Sequence, residues 1–357
     1  MRSFLLTACV FFASVLLSVL MLEVGVLLFV GEQAKFPRHV VGSTFGVRIN
    51  EPNATYRHKS ADMTVWFKIN AQGMRADRDY AYEKPKGVKR IVSLGDSFTV
   101  GYEVQVDECF SSIIESELRE RGLSVEVLNA GVSGYSNAEA LLYLQRELLR
   151  YDPDLVMISF FVNDLVDNVR SDLFKLENGR LVTAADSYVP AGHLGNFLNT
   201  NVFFNTLSAR SNAFVLFKET ATRLVKRRMV EQNVANMETA EESPKAQDAR
   251  GAYERRLTGA IFERIYEITR AHEIPLLIHS IPTLWPNPDR MVDLFPLEEF
   301  DVNREGLAYF PAKSVLEPYL DKRPLYHRRS DFHWTPLGHA LAGEAIAERI
   351  IDDGLLD

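Results

Sequence analysis

Asp154-Leu-Val-Met-Ile-Ser-Phe-Phe161 is apolar after its first residue except for Ser159. No polar alternation interrupts it, which is the pattern of a strand buried on both faces of a parallel sheet. Asp152-Pro153 supplies the turn before it. Working back along the chain, Ser124–Leu128 alternates as a second strand. Residues 108–121 carry Ile113, Ile114 and Leu118 at helical spacing and stop at Gly122. Val88–Leu94 reads as another strand, and the leucine-rich stretch 137–150 as another helix. Working forward, 251–272 reads as an amphipathic helix, Ile274–Ile281 as a strand and 337–351 as a final helix. Strands alternating with helices predict a three-layer α/β/α domain with a mostly parallel sheet.

That domain, 88–357, carries an insertion around 171–250, with a basic helix near 208–230 and a polar stretch at 231–250 that has no apolar period and reads as a loop. Residues 31–87 hold short polar and aromatic pieces and read as a membrane-proximal lead-in. Residues 1–30 read as a membrane anchor, because Phe4 to Val30 contains a single charge, Glu23. At about 1.5 Å per residue, some 20 such residues cross a hydrocarbon core of roughly 30 Å, whereas a secretory h-region needs about 7 to 15. A cleaved signal peptide is the competing reading, but no small-x-small pattern follows Val30. Leu6-Thr7-Ala8-Cys9 imitates a lipoprotein box at the wrong end of the apolar run. Glu23 is costly as an ion inside the span and predicts a partner helix. Arg2 precedes the span while Lys35, Arg38 and Arg48 follow it, so basic residues alone do not orient it.

Composition removes several classes of function. With 46% hydrophobic residues in 357 the chain can bury a sizeable core, and a net charge of -8 offers no bulk basic field for nucleic acid. Its two cysteines, Cys9 and Cys109, form no disulfide framework or zinc pattern, so neither a metal nor a cofactor is expected.

In a parallel α/β sheet, ligands sit beyond the carboxyl ends of the strands. Those ends are followed here by Gly95-Asp96-Ser97, by Gly131-Val132-Ser133-Gly134 and by Asn163-Asp164, while Asp331-Phe332-His333-Trp334 precedes the last helix. A serine nucleophile needs a base, a carboxylate to orient that base, and donors for the developing oxyanion, and all three kinds of group are present. Each piece alone has a plainer explanation. Ser97 would serve as a helix cap, Gly134 as a positive-φ turn, Asn163-Asp164 as a loop turn and His333 as a core histidine. Their order at successive junctions is what carries the reading. No Gly-x-Ser-x-Gly elbow occurs, which disfavours the α/β-hydrolase arrangement. His279 in an apolar strand, His339 two turns into the last helix, and Cys109 read as packing residues.

As an ordered set these residues resemble the blocks of the SGNH (GDSL-type) hydrolases, over roughly 88 to 350 without the insertion. The resemblance implies a flavodoxin-like sheet, with Ser97 as nucleophile, His333 as general base and Asp331 as its orienting acid. It implies an oxyanion hole from the backbone N–H groups of Ser97 and Gly134 and the amide of Asn163. Two positions depart from the pattern. Phe161 stands where the family commonly has glycine, which narrows the pocket or shifts the loop. The acid and histidine are spaced Asp-x-His rather than Asp-x-x-His, a form similar to that of bacterial polysaccharide O-acetyltransferase relatives.

The expected activity is that of a serine esterase or acyltransferase working through an acyl-enzyme on small O-acyl esters, acetyl above all, of envelope or exported carbohydrate. Envelope polysaccharide machinery is then a candidate partner, and the catalytic domain belongs on the extracytoplasmic, periplasmic side of the membrane. Two alternatives stay open: a non-catalytic carbohydrate-binding subunit of an envelope assembly, and a lipid esterase at the inner leaflet.

Overall fold

The computed structural model describes residues 2–29, 40–59, 62–188, 202–211, 213–214, 216–217, 220–221, 244–284, 287, 289–328 and 332–357. Its contacts divide into two compact units, Met1–Lys35 with Ala191–Lys245, and Phe36–Pro190 with Ala246–Asp357.

The larger unit is built on a five-stranded sheet. Strands β5 (Lys89–Leu94), β6 (Val125–Asn129), β7 (Leu155–Phe160), β10 (Leu276–Ser280) and β11 (Leu307–Pro311) lie in the order β11-β10-β7-β5-β6, all parallel. This is the flavodoxin-like order anticipated above, and its direction reverses between β5 and β7. Side chains of period two divide the core. Ile91, Leu155, Met157 and Leu277 face one way, onto α3 (Phe110–Glu120) and the last helix, α9 (Pro336–Asp352). Val92, Val156, Ile158, Leu276 and Ile278 face the other way, onto α4 (Asn137–Arg146) and the inner face of the long helix α7 (Pro244–Ala271). Every residue of β7 and β10 is buried, whereas β11 alternates between buried and half-buried as an edge strand does.

Some boundaries differ from the sequence expectations. The helix read over 137–150 ends at Arg146 and tightens into a 3₁₀ turn, Leu148–Tyr151. The helix read from 251 starts at Pro244, so the last residues of the expected 231–250 loop are helical, while 231–243 lie outside the described residues. Within the expected insertion an antiparallel hairpin, β8 (Phe174–Glu177) and β9 (Arg180–Thr183), follows α5 (Asn163–Ser171) directly. The lead-in forms two further hairpins, β1 (Val40–Gly42) with β2 (Arg48–Asn50), and β3 (Thr55–Lys59) with β4 (Thr64–Lys68). They are fastened to the sheet: Arg75 N–H donates to Asn129 O at 3.0 Å, and Val65 and Phe67 pack with Val100 and Tyr102.

The smaller unit contains α1 (Arg2–Phe29) and α6 (Val202–Arg210). Phe4–Phe29, 26 residues of mean hydropathy 2.6, is long and apolar enough to cross a membrane, a test that a signal sequence also passes. Glu23, for which the sequence predicts a partner helix, is met within the chain. Its Oε2 accepts from Ser211 Oγ at 2.9 Å and from Ala213 N–H at 3.1 Å, while Ser211 Oγ itself caps Phe214 N–H at 3.1 Å. Two short donors at the start of a helical segment suit a carboxylate in apolar surroundings. Of the basic helix read near 208–230, residues 222–230 lie outside the described residues.

Candidate active site

Strand β5 ends at Leu94, and within three residues the chain enters the single turn α2 (Ser97–Val100). Asp96 caps that turn, its Oδ1 accepting Phe98 N–H at 2.9 Å. Ser97 is therefore the first helical residue, half-buried, with its own N–H directed out of the turn and no preceding helical carbonyl to take it. The loop after β6 lies against this turn because Gly131 has no side chain. A Cβ there would stand 2.4 Å from Val100 N and 2.7 Å from the Thr99 carbonyl carbon. Asn129 ties the two together, donating from Nδ2 to Thr99 O at 2.7 Å and accepting Gly131 N–H at 3.1 Å.

His333 is delivered from the far end of the sequence. Its backbone is fixed by His327 N–H donating to His333 O at 2.8 Å and by a bridge between Tyr326 and Trp334. Thr335 then caps α9. Phe332, at φ 54°, makes the turn that brings the histidine inward. The imidazole is buried between Tyr102 and Phe98, with ring centroids at 4.5 and 4.8 Å. Its Nε2 lies 2.7 Å from Ser97 Oγ. When Nδ1 carries the ring proton, Nε2 accepts the serine hydroxyl, the arrangement a general base requires. Asp331, predicted to orient the ring, lies outside the described residues.

Asn163 opens α5 immediately beyond β7, on the strand next to β5. One N–H of its amide donates to Asp167 Oδ2 at 3.1 Å, one turn on, and the side chain lies beside the Asp96 carboxyl. Burial raises both Asp96 and Asp167, and hydrogen bonding from this side chain opposes the rise of each, so the two carboxyls hold the amide at the end of β7. Gly134 is exposed at φ 74°, and its N–H makes no hydrogen bond among the described residues. Ser97, Gly134 and Asn163 thus follow three adjacent parallel strands, around the point where the sheet reverses its order.

Beneath them lies a group of buried carboxyls. Burial pushes Asp96 up to about 7, while the Phe98 N–H bond opposes the shift and Asp167 adds to it. Asp164 is also raised well above the usual carboxylate range, chiefly by burial and then by Asp96. Its Oδ2 accepts Phe161 N–H at 2.9 Å and Asn137 Nδ2 at 3.2 Å, which fixes the turn presenting Asn163. Phe161, the residue in place of glycine, lays its ring against Phe98 at 4.7 Å and joins the apolar wall behind His333. Asp167 and Arg48, which touch this group, were not identified from the sequence. The Asn163-x-x-x-Asp167 spacing on one helix carries the first, and no local pattern carries the second.

His279 and His339 are packing residues. His279 is fully buried with Nδ1 3.2 Å from Ser159 Oγ, and His339 accepts Phe110 N–H on Nδ1 at 3.3 Å. Burial lowers both to about 3. An unfolded histidine titrates near about 6.5, so below that value the unfolded chain takes up protons that the folded chain refuses. The stability tied to the neutral rings is complete above about pH 6.5 and drains as the pH falls towards 3. By pH 4 the loss amounts to roughly 3 kcal/mol for each ring, at about 1.4 kcal/mol per pH unit. His279→Asn, which keeps a partner for Ser159, is expected to melt below wild type at pH 7 and to lose less of its Tm on acidification to pH 4. A Tm gap that stays constant across that range removes His279 from the acid response.

An arylesterase from Vibrio mimicus is 33% identical over 76 residues, which span 21% of this chain and 38% of that protein. Among solved structures, a two-domain esterase active on acetylated mannans, co-crystallized with mannopentaose, aligns at 12% identity and a TM-score of 0.41, covering 75% of this chain and 50% of that one. A family 3 carbohydrate esterase of Clostridium thermocellum aligns at 11% identity and a TM-score of 0.38, covering 74% and 96%. The family model of the GDSL-like Lipase/Acylhydrolase family runs from β5 into α9, matching residues 93–341 and taking in all four stretches assembled around Ser97, and the chain belongs to that family.

Proposed function

We propose that this chain is a serine esterase or acyltransferase in which Ser97 forms an acyl-enzyme. The observation that carries the reading is the 2.7 Å approach of His333 Nε2 to Ser97 Oγ, between residues 236 positions apart. Ser97 Oγ attacks the ester carbonyl as its proton passes to His333 Nε2, and the carbonyl oxygen becomes an oxyanion stabilised by the Ser97 and Gly134 N–H groups and the Asn163 amide. Collapse of the tetrahedral intermediate expels the alcohol, which leaves with the proton from His333. Water or a sugar hydroxyl then gives its proton to His333 and attacks the acyl carbon, and collapse of this second tetrahedral intermediate returns that proton from His333 to Ser97 Oγ as the acyl product leaves. By the family resemblance, Asp331 takes the role of the acid that orients His333.

The favoured substrates are small O-acyl esters, acetyl first, on envelope or exported carbohydrate, with the catalytic domain on the outer side of the membrane. The apolar Phe4–Phe29 helix and the Asp-x-His-Trp form, similar to that of O-acetyltransferase relatives, support this choice.

Intact mass of the detergent-solubilised full chain after fluorophosphonate treatment tests the nucleophile without a known substrate. One adduct on Ser97, lost in Ser97→Ala and His333→Ala, is expected, and a folded wild type that takes up no adduct refutes the reading. Acetate release from acetylated polysaccharide, compared with fatty acid release from phospholipid, tests the substrate class.

A further inference from the structure

Arg48 lies on β2, outside the stretch 93–341 that the family model matches, and 86 residues before the glycine it touches. Its Nη2 donates to Gly134 O. The guanidinium is anchored on Glu139, Nε to Oε1 at 2.9 Å and Nη2 to Oε2 at 3.2 Å. Glu139 is buried within the cap of α4, where its Oε2 also accepts Ser136 N–H at 3.1 Å. The strand itself is fixed to the same loop: Tyr135 OH donates to Arg48 O, and Asn50 Nδ2 donates to Gly131 O at 2.9 Å. A Cβ on Gly134 would meet nothing within 4 Å except this guanidinium, at 3.7 Å, so Arg48 is the group that closes on an otherwise open turn. The Arg48 charge also acts on Asp167, the carboxylate that holds one N–H of Asn163.

We infer that Arg48 is a positioning residue for the oxyanion site, a cation supplied by the segment before the sheet that fixes the Gly134–Tyr135 peptide through its carbonyl and so steadies the adjoining Gly134 N–H. The inference rests on the acyl-enzyme reading of Ser97. Its physical content is preorganisation. A glycine at positive φ with an unbonded N–H has many nearby conformations, and an oxyanion donor misplaced by an ångström loses much of its effect. The Glu139 anchor holds the guanidinium in one position, and the guanidinium in turn polarises the peptide next to the donor.

Removing Arg48 alone would leave Glu139 as a buried unpaired charge, so the informative change is the pair Arg48→Met with Glu139→Gln. In the full chain with an activated acetyl ester, the pair is expected to lower kcat by about 10- to 100-fold with KM within about twofold, and to slow fluorophosphonate labelling of Ser97 by a similar factor. Arg48→Lys should recover part of the loss. A role confined to stability would lower Tm and active fraction without separating kcat from KM per labelled site. Wild-type kcat and labelling rate in the folded pair overturns the inference and leaves the acyl-enzyme reading standing. Absence of a Ser97 adduct in the wild type overturns that reading itself. If the pair does not fold, Arg48→Lys decides alone: a kcat loss of about three- to tenfold at unchanged KM supports the inference, and unchanged kcat overturns it.

Discussion

Ser97→Ala is expected to lower kcat for an activated acetyl ester by about 10⁴- to 10⁶-fold, His333→Ala by a similar factor, and the double variant by no more than the worse of the two. The hydroxyl and the imidazole, 2.7 Å apart, act in one proton transfer, so removing either abolishes the whole step and their losses do not add. Binding should persist, because the oxyanion donors and the remaining surface around Ser97 are unchanged. The residual rate in both variants should therefore be the same oxyanion-assisted hydrolysis. Full additivity, with the double variant losing the product of the two factors, would mean that Ser97 and His333 act in separate steps and would break the nucleophile and base pairing. Ser97→Ala should cost little stability, since Ser97 is half-buried at a helix start, whereas His333→Ala empties the space between Phe98 and Tyr102 and should lower Tm as well.

Much of this arrangement was legible because it depends on local pattern. A run such as 154–161 admits little besides a buried strand, and ligands of parallel sheets sit beyond strand ends, so the stretches holding Ser97, Gly134 and Asn163 could be placed at junctions, while their individual roles came from the family resemblance. Other features were not legible for identifiable reasons. Pro244–Arg250 is helical through backbone propensity and the continuity of α7, without an apolar stripe to announce it. Leu307–Pro311 covers only one edge of the sheet, and its half-buried alternation in five residues is too short a signal. Where the family commonly has glycine, the direction of the Phe161 ring is set by packing on Phe98, a contact 63 residues away in sequence that no local pattern announces. Arg48 could not be found from the sequence, since nothing local in Val47-Arg48-Ile49 indicates a carbonyl 86 residues away.

Asn163→Ala is expected to cost about 10²- to 10³-fold in kcat at nearly constant KM, equivalent to about 3 to 4 kcal/mol of lost transition-state stabilisation. The KM should hold because an oxyanion donor acts on charge that develops only after attack, while the ground-state ester asks little of it. Asp167 supplies the geometry: by taking one amide hydrogen at 3.1 Å it fixes the plane of the amide and thereby the direction of the other. Asn163→Asp should be worse than alanine. The new carboxyl would join Asp96, Asp164 and Asp167, three groups whose burial already raises them, and would present oxygen instead of N–H to the oxyanion. Above the titration of that new group the variant should be almost inert, and on acidification it should recover activity as the carboxyl gains a proton and can donate. A boronic acid that forms a tetrahedral adduct on Ser97 provides the independent check, because its affinity should fall with kcat/KM across wild type, Asn163→Ala and Asn163→Asp. Boronate affinity unchanged by Asn163→Ala, or a kcat loss below about fivefold, would remove Asn163 from the oxyanion site and leave the stabilisation to the Ser97 and Gly134 N–H groups.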